Sequence, residues 1–69
     1  MSVATLRAKH AALRAVFTER SRRLWAATEA RALGYGGIAA VARATSLSPA
    51  TISRGLTELD QPDAPLPAN

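Results

Sequence analysis

The sequence contains no cysteine, which excludes disulfides, thiolate nucleophiles and cysteine-based metal sites and fits a reducing compartment. It has one Trp, one Tyr and one Phe, so a few large apolar side chains must form most of the core. No apolar run approaches the roughly 20 residues that span a bilayer, and the first residues lack the pattern of a signal peptide. We therefore expect a cytoplasmic protein with no membrane association.

Acidic residues are also few, since five Asp and Glu stand against nine Lys and Arg. The net charge is +4 and the pI is about 11.2. All but one of the nine cations are arginine, whose planar guanidinium suits contacts with phosphate groups. This balance predicts a polyanionic partner. With 69 residues the chain forms one domain at most, and its stability should be marginal.

Two short helical patterns between Gly37 and Leu59 predict a helix-turn-helix. The apolar face of the first helix recurs at i, i+3, i+4 and i+7, through Ile38, Val41, Ala42 and Thr45. Ser46 and Leu47 form the predicted turn, with Leu47 packed between the helices and Ser46 in the left-handed conformation that glycine usually adopts.

The second helix of this motif has a sharply defined start, with Ser48 as N-cap and Pro49 in the first turn. Because the second helix of such a motif enters the major groove of DNA, its polar face is the predicted contact surface. Arg54 is its only cation and could make a two-pronged contact with guanine, unless it pairs with Glu58 one turn later. The candidate residues of this helix are Ser48, Pro49, Ala50, Thr51, Ser53, Arg54 and Thr57.

Specific motifs carry a resemblance to a known family, namely Arg23-Leu24-Trp25-Ala26-Ala27, Gly34-Tyr35-Gly36-Gly37, and Thr51-Ile52 with Arg54-Gly55-Leu56. Over residues 17–60 the chain resembles the amino-terminal region of insertion-sequence transposases of the ISAzo-thirteen type, a DDE transposase family. The resemblance implies a DNA-recognition module that binds transposon ends and precedes a catalytic domain. That catalytic domain is absent from this sequence, so we expect no enzymatic activity.

The first residues, 2–16, also predict a helix, capped by Ser2 and free of Gly and Pro. Its apolar stripe has heptad-like spacing and consists of Val3, Leu6, His10, Leu13 and Phe17. We favour packing of this stripe on the rest of the domain, with a homodimer through the N-terminal helix as the alternative. The single His lacks a set of metal ligands, so His10 is interpreted as a half-exposed residue of the stripe.

A further helix is predicted from Thr18, its N-cap, to about Leu33, with Gly34 as a left-handed stop. Its predicted buried face consists of Leu24, Trp25, Thr28 and Ala32, with Trp25 as the core anchor. Arg22 and Arg23, together with Arg43 of the next helix, are candidate contacts to the DNA backbone. A solvated helix surface is the equal alternative for the arginines at positions 20, 22 and 23.

The loop Gly34-Tyr35-Gly36-Gly37 has two interpretations. Its open amides could bind a phosphate at the start of the next helix, or it could be a plain connection capped by Tyr35. After Leu59 the chain becomes rich in proline and acid, which predicts a disordered tail or linker.

The sequence thus predicts an all-α domain of about four helices, with an N-terminal amphipathic helix (1–17), a helix-turn-helix DNA-binding domain (18–60) and a flexible tail (61–69). The predicted partner is double-stranded DNA, with no cofactor, metal or small-molecule ligand. A stand-alone helix-turn-helix regulator and a helical protein-interaction module remain as alternatives. Catalysis is the least favoured function, because the chain has no nucleophile and base constellation and is too short to form a pocket.

Overall fold

A computed structural model of the chain describes residues 2–61, and over this range the predicted all-α fold is confirmed. Four α-helices follow one another as α1 (Val3–Leu13), α2 (Glu19–Leu33), α3 (Gly37–Thr45) and α4 (Pro49–Leu59), with a 3₁₀ turn at Arg14–Val16. None of the helices in this range has the length and apolar character needed to cross a membrane. The tail predicted for residues 61–69 lies, apart from Gln61, outside the described residues.

Side-chain caps fix where α1 and α2 begin, as the sequence predicts. The Ser2 hydroxyl accepts the amide of Thr5 at 3.1 Å. Thr18 caps α2 through a reciprocal pair of bonds, since Thr18 Oγ1 accepts the Ser21 amide at 3.0 Å and Ser21 Oγ accepts the Thr18 amide at 2.7 Å. Each cap satisfies amides that have no partner within their own helix.

The helices share one core, in which Leu6, Val41 and Ile52 are the largest fully buried side chains. Helix α2 packs along both α3 and α4, and α1 packs on α3. Because Leu6 joins the same cluster as Val41 and Ile52, the favoured intramolecular packing of α1 is confirmed. The N-terminal helix therefore belongs to the same packed unit as the helix-turn-helix.

The first helix is shorter than the predicted range of 2–16. It ends at Leu13, and the tighter 3₁₀ turn leads into Phe17, which is extended at ψ 136°. This change of direction brings the Phe17 ring to 5.5 Å from that of Trp25. It also leaves Leu13 exposed, so of the predicted stripe this member does not pack, whereas Phe17 does.

The predicted buried face of α2 is wrong in most of its members. Thr28 and Ala32 are exposed and Leu24 is only partly buried, whereas the fully packed positions are Ala26, Ala27 and Ala30. These alanines allow the backbones of neighbouring helices to approach.

Glycines on α3 and α4 face these alanines, and neither has room for a side chain. A Cβ on Gly55 would lie 2.7 Å from the Arg23 carbonyl oxygen and 3.0 Å from Ala27 Cβ, and one on Gly37 would lie 2.2 Å from the Ala30 carbonyl oxygen. Alanine and glycine, and not the large apolar residues of the predicted α2 face, therefore set the distances between α2 and the helix-turn-helix.

Trp25 is partly buried against the core instead of forming its centre. Its ring stacks on His10, with ring centroids 5.8 Å apart, and His10 also stacks on Phe17 at 6.0 Å. The interpretation of Trp25 as structural holds, and His10 is half-buried as predicted. These three rings join α1 to α2.

The loop between α2 and α3 lacks the predicted Tyr35 cap, and one of its amides has a partner within the loop. Tyr35 is fully exposed and caps nothing within the described range. The Gly37 amide donates to the Gly34 carbonyl at 2.9 Å, so this amide at the start of α3 is already used. Gly34 ends α2 with φ 74°, and Gly36, the N-cap of α3, has φ 80°; both values favour glycine.

The turn of the helix-turn-helix consists of Ser46, Leu47 and Ser48. Ser46 is the only described non-glycine residue with positive φ, at 65°, which confirms the left-handed turn. Thr45 Oγ1 accepts the Leu47 amide at 3.2 Å, and Leu47 packs against the core. The turn is therefore short and held by its own bonds.

We expect Ser46→Gly to be neutral or to stabilise the domain by up to about 1 kcal/mol, because glycine adopts positive φ without steric cost. Ser53→Gly is the matched control, since Ser53 is an exposed residue of regular helix, where glycine should cost about 0.5 kcal/mol or more. Thermal denaturation followed by circular dichroism measures both. Equal losses for the two variants would contradict the left-handed turn.

Candidate nucleic-acid interface

Helix α4 is oriented by its buried side, which leaves a continuous polar face exposed. Ser48 Oγ accepts the Thr51 amide at 3.1 Å and Pro49 occupies the first turn, so the start of the helix is fixed. Ile52 and Gly55 are buried against the rest of the domain. Of the residues that the sequence predicts on the opposite side, Thr51 is partly buried. The others are exposed, namely Ser48, Pro49, Ala50, Ser53, Arg54 and Thr57.

Four of these residues lie on one helical face, because positions 50, 53, 54 and 57 are spaced i, i+3, i+4 and i+7. Two hydroxyls of the α4 surface have local partners: Thr51 Oγ1 lies 2.9 Å from Ser48 Oγ, and Thr57 Oγ1 donates to the Ser53 carbonyl at 3.2 Å. Arg54 projects from the middle of this surface. We call the exposed residues Ser48, Pro49, Ala50, Ser53, Arg54 and Thr57 the α4 face.

Arg54 forms no ion pair within residues 2–61, and the alternative pair with Glu58 is not made. Glu58 is held instead by Arg23 of α2, through contacts of 2.5 Å from Nε and 3.0 Å from Nη2. The hydrogen bond from Arg23 lowers the pKa of Glu58 below its ordinary value, so this carboxylate stays charged at neutral pH. The guanidinium of Arg54 is thus available to an external partner.

Arg23 does not fit its predicted role as a backbone contact. Its side chain is 14% exposed and both of its contacting nitrogens are directed at Glu58. The ion pair joins α2 to α4 near Gly55, where the two backbones lie close together. Arg23 therefore holds α4 in place, and it is not available to contact phosphate.

Other acids are also occupied by cations of the first two helices. Arg31 lies 2.6 Å from Asp60, and Lys9 lies 3.6 Å from Glu29. These pairs leave a group of arginines that have no ion pair in the part of the chain that the structure describes: Arg7, Arg14, Arg20, Arg22, Arg43 and Arg54.

Arg22 and Arg43, the remaining predicted contacts, lie away from the α4 face. They line a cleft of about 390 Å³ between α1, α2 and α3, together with Arg7, Arg14 and His10, so the expectation that the chain is too short to form a pocket is wrong. We call this the arginine cleft. The predicted site residues therefore fall on two separate surfaces.

The sequence interpretation missed Arg7 and Arg14. Their spacing from His10 is a signal that could have found them, because positions 7, 10 and 14 share one side of a helix. His10 was assigned to the apolar stripe, where it does stack on Phe17 and Trp25, and its polar edge was overlooked.

The pKa of His10 is affected both by burial and by the neighbouring arginines of the cleft. Burial and then the charges of Arg22 and Arg14 lower the pKa of His10 below its ordinary value of 6.5. The imidazole is therefore neutral at pH 7. Its Nε2 atom is buried and has no hydrogen-bond partner in the described residues, and the same is true of Arg22 Nε.

Comparisons of the chain with protein-family models, with curated protein sequences and with solved structures found no match.

Proposed function

We propose that this chain is a sequence-specific DNA-binding domain that places α4 in the major groove. The observation that carries the proposal is the α4 face, where polar side chains and an unpaired Arg54 lie on the exposed side of a helix-turn-helix. The resemblance of residues 17–60 to insertion-sequence transposases suggests transposon-end DNA as the target. A stand-alone regulator would use the same surface.

Each side chain of the α4 face has a role that follows from its chemistry. Arg54 can donate two hydrogen bonds to O6 and N7 of a guanine, and Ser53 and Thr57 can reach base edges or phosphates. Ala50 offers a methyl group to thymine. Ser48 and Pro49 lie at the amino-terminal end of α4, where amides and a positive helix dipole favour a phosphate.

The ion pair between α2 and α4 supports this function indirectly. Arg23 neutralises Glu58 in the carboxyl-terminal part of α4, so this acid repels a DNA backbone less than a free carboxylate would. The overall charge of +4 adds a sequence-independent attraction.

The proposal is tested with Arg54→Ala on a preferred duplex selected from a random pool with the wild-type chain. We expect a loss of about 1–3 kcal/mol on that duplex and relaxed choice at one base pair, because a two-pronged guanine contact is removed. Fluorescence anisotropy over a salt series measures the affinities.

Arg31→Ala is the control, since it removes the same charge from a residue outside the α4 face. Both variants should weaken binding to random duplex by a similar, smaller amount. An equal loss for Arg54→Ala on every sequence would make Arg54 a backbone contact. No binding at low salt, or binding that ignores salt, would favour a protein-interaction module instead.

A further inference from the structure

The arginine cleft concentrates positive charge in a concave site. Arg7 and Arg14 come from α1 and the turn after it, Arg22 from α2 and Arg43 from α3, and none of the acidic residues among residues 2–61 lines the cleft. Like charges brought together in this way repel one another, and within residues 2–61 none of these four arginines has an ion pair to offset the repulsion. An anion placed among them would remove this repulsion.

The hydrogen bonding of the cleft residues also indicates an anionic ligand. Among residues 2–61, three buried side-chain nitrogens have no hydrogen-bond partner, and two of them, Arg22 Nε and His10 Nε2, belong to residues that line the cleft, whereas Arg20 Nε does not. Buried polar atoms are nearly always paired, and the Nε–H group of Arg22 can only donate, so this group lacks an acceptor. A ligand with several oxygens would supply it.

We propose that the arginine cleft is a phosphate-binding site. Arginine binds phosphate oxygens through parallel N–H donors, and four guanidinium groups match a ligand that carries more than one negative charge. A volume of about 390 Å³ lies within the range of small-ligand sites and is large enough for a diphosphate.

The phosphate could belong to a free small molecule or to the backbone of bound DNA. Ser46 lines the cleft two residues before the cap of α4, so the cleft adjoins the turn that leads into the α4 face. If the phosphate is part of DNA, the inference rests on the proposed function. If it is free, the cleft binds its ligand without DNA.

Inorganic pyrophosphate is the probe for the first experiment, used with the full chain at low salt. Binding is followed by calorimetry and by the fluorescence of Trp25, the single Trp, which stacks on the cleft residue His10. We expect saturable binding that Arg22→Gln and Arg43→Gln each weaken about 10-fold or more, because a charge-assisted bond is lost. The melting temperature of the wild type should rise with pyrophosphate concentration.

Arg31→Gln is the matched control, with the same loss of charge at a residue that does not line the cleft. It should weaken pyrophosphate binding less than 2-fold, because the interaction of an exposed charge outside the cleft is weakened by solvent. Arg43 is exposed, so Arg43→Gln keeps the test valid if the partly buried Arg22 is needed for folding. Equal weakening by control and cleft variants would overturn the proposal.

A second experiment measures duplex DNA binding by the same variants, with and without pyrophosphate. If the cleft holds a DNA phosphate, Arg43→Gln should weaken all duplexes and reduce the salt slope by about 1, and pyrophosphate should compete. If it holds a free anion, pyrophosphate should bind while Arg43→Gln weakens duplex binding no more than Arg31→Gln does.

The two proposals fail in different ways. Pyrophosphate binding without any DNA binding would remove the proposed function and leave the cleft as a small-anion site. Sequence-specific DNA binding through Arg54, with cleft variants behaving as Arg31→Gln does in both assays, would overturn the phosphate site alone.

Discussion

Trp25→Ala is expected to lower the melting temperature by about 12 °C or more, or to abolish cooperative unfolding altogether. Deleting a packed aromatic side chain costs about 3–5 kcal/mol, and a domain of this size has a total stability of only roughly 3–10 kcal/mol. Because Trp25 is partly buried, we expect a loss near the lower end. The ring contacts to His10 and Phe17, which join α1 to α2, disappear with it.

Tyr35→Ala is the control for this variant, because Tyr35 is an aromatic residue that is fully exposed in the loop between α2 and α3. Its replacement should change stability by less than about 0.5 kcal/mol. Circular dichroism melts of both variants provide the comparison. A wild-type melting temperature for Trp25→Ala would show that the three rings do not hold α1 in place.

Gly37→Ala is expected to destabilise the domain by about 1–3 kcal/mol or more, although alanine is the better helix former. The added Cβ would lie 2.2 Å from the Ala30 carbonyl oxygen and 3.1 Å from Leu33 Cβ. A backbone oxygen cannot turn away as a side chain can, so α2 and α3 must separate. Chemical denaturation measures the change in unfolding free energy.

The neighbouring Gly36 provides the control. It has φ 80° and open space around its Cα, and asparagine tolerates this left-handed conformation. Gly36→Asn should therefore cost much less than Gly37→Ala. If Gly37→Ala is neutral, the close approach of α2 and α3 is not required for stability.

The helix starts and the turn of this chain could be predicted, because each depends on a short stretch of sequence. The caps at Ser2, Thr18 and Ser48 and the left-handed residue Ser46 each depend on a few neighbouring residues, and the structure has all of them. The all-α class follows from several such signals in succession.

The packing of α2 was not predictable in the same way. Periodicity gives weight to large apolar residues, whereas the contacts of Ala27 and Ala30 depend on glycines elsewhere in the chain. The ion pair between Arg23 and Glu58 spans 35 positions and has no local signal.

The arginine cleft was missed for a related reason. Its four arginines lie on α1, on the 3₁₀ turn after α1, on α2 and on α3, and only the fold brings them together. By contrast, the α4 face could be predicted residue by residue, because one helix carries it.

The use of alanine and glycine between helices also affects how this domain should respond to heat. Leu6, Val41 and Ile52 are its largest fully buried side chains, so unfolding exposes little apolar surface to water. The heat capacity change and the denaturant dependence of unfolding both scale with that surface and should be low. Its stability curve should then be shallow, and even small free-energy changes should produce large shifts in melting temperature.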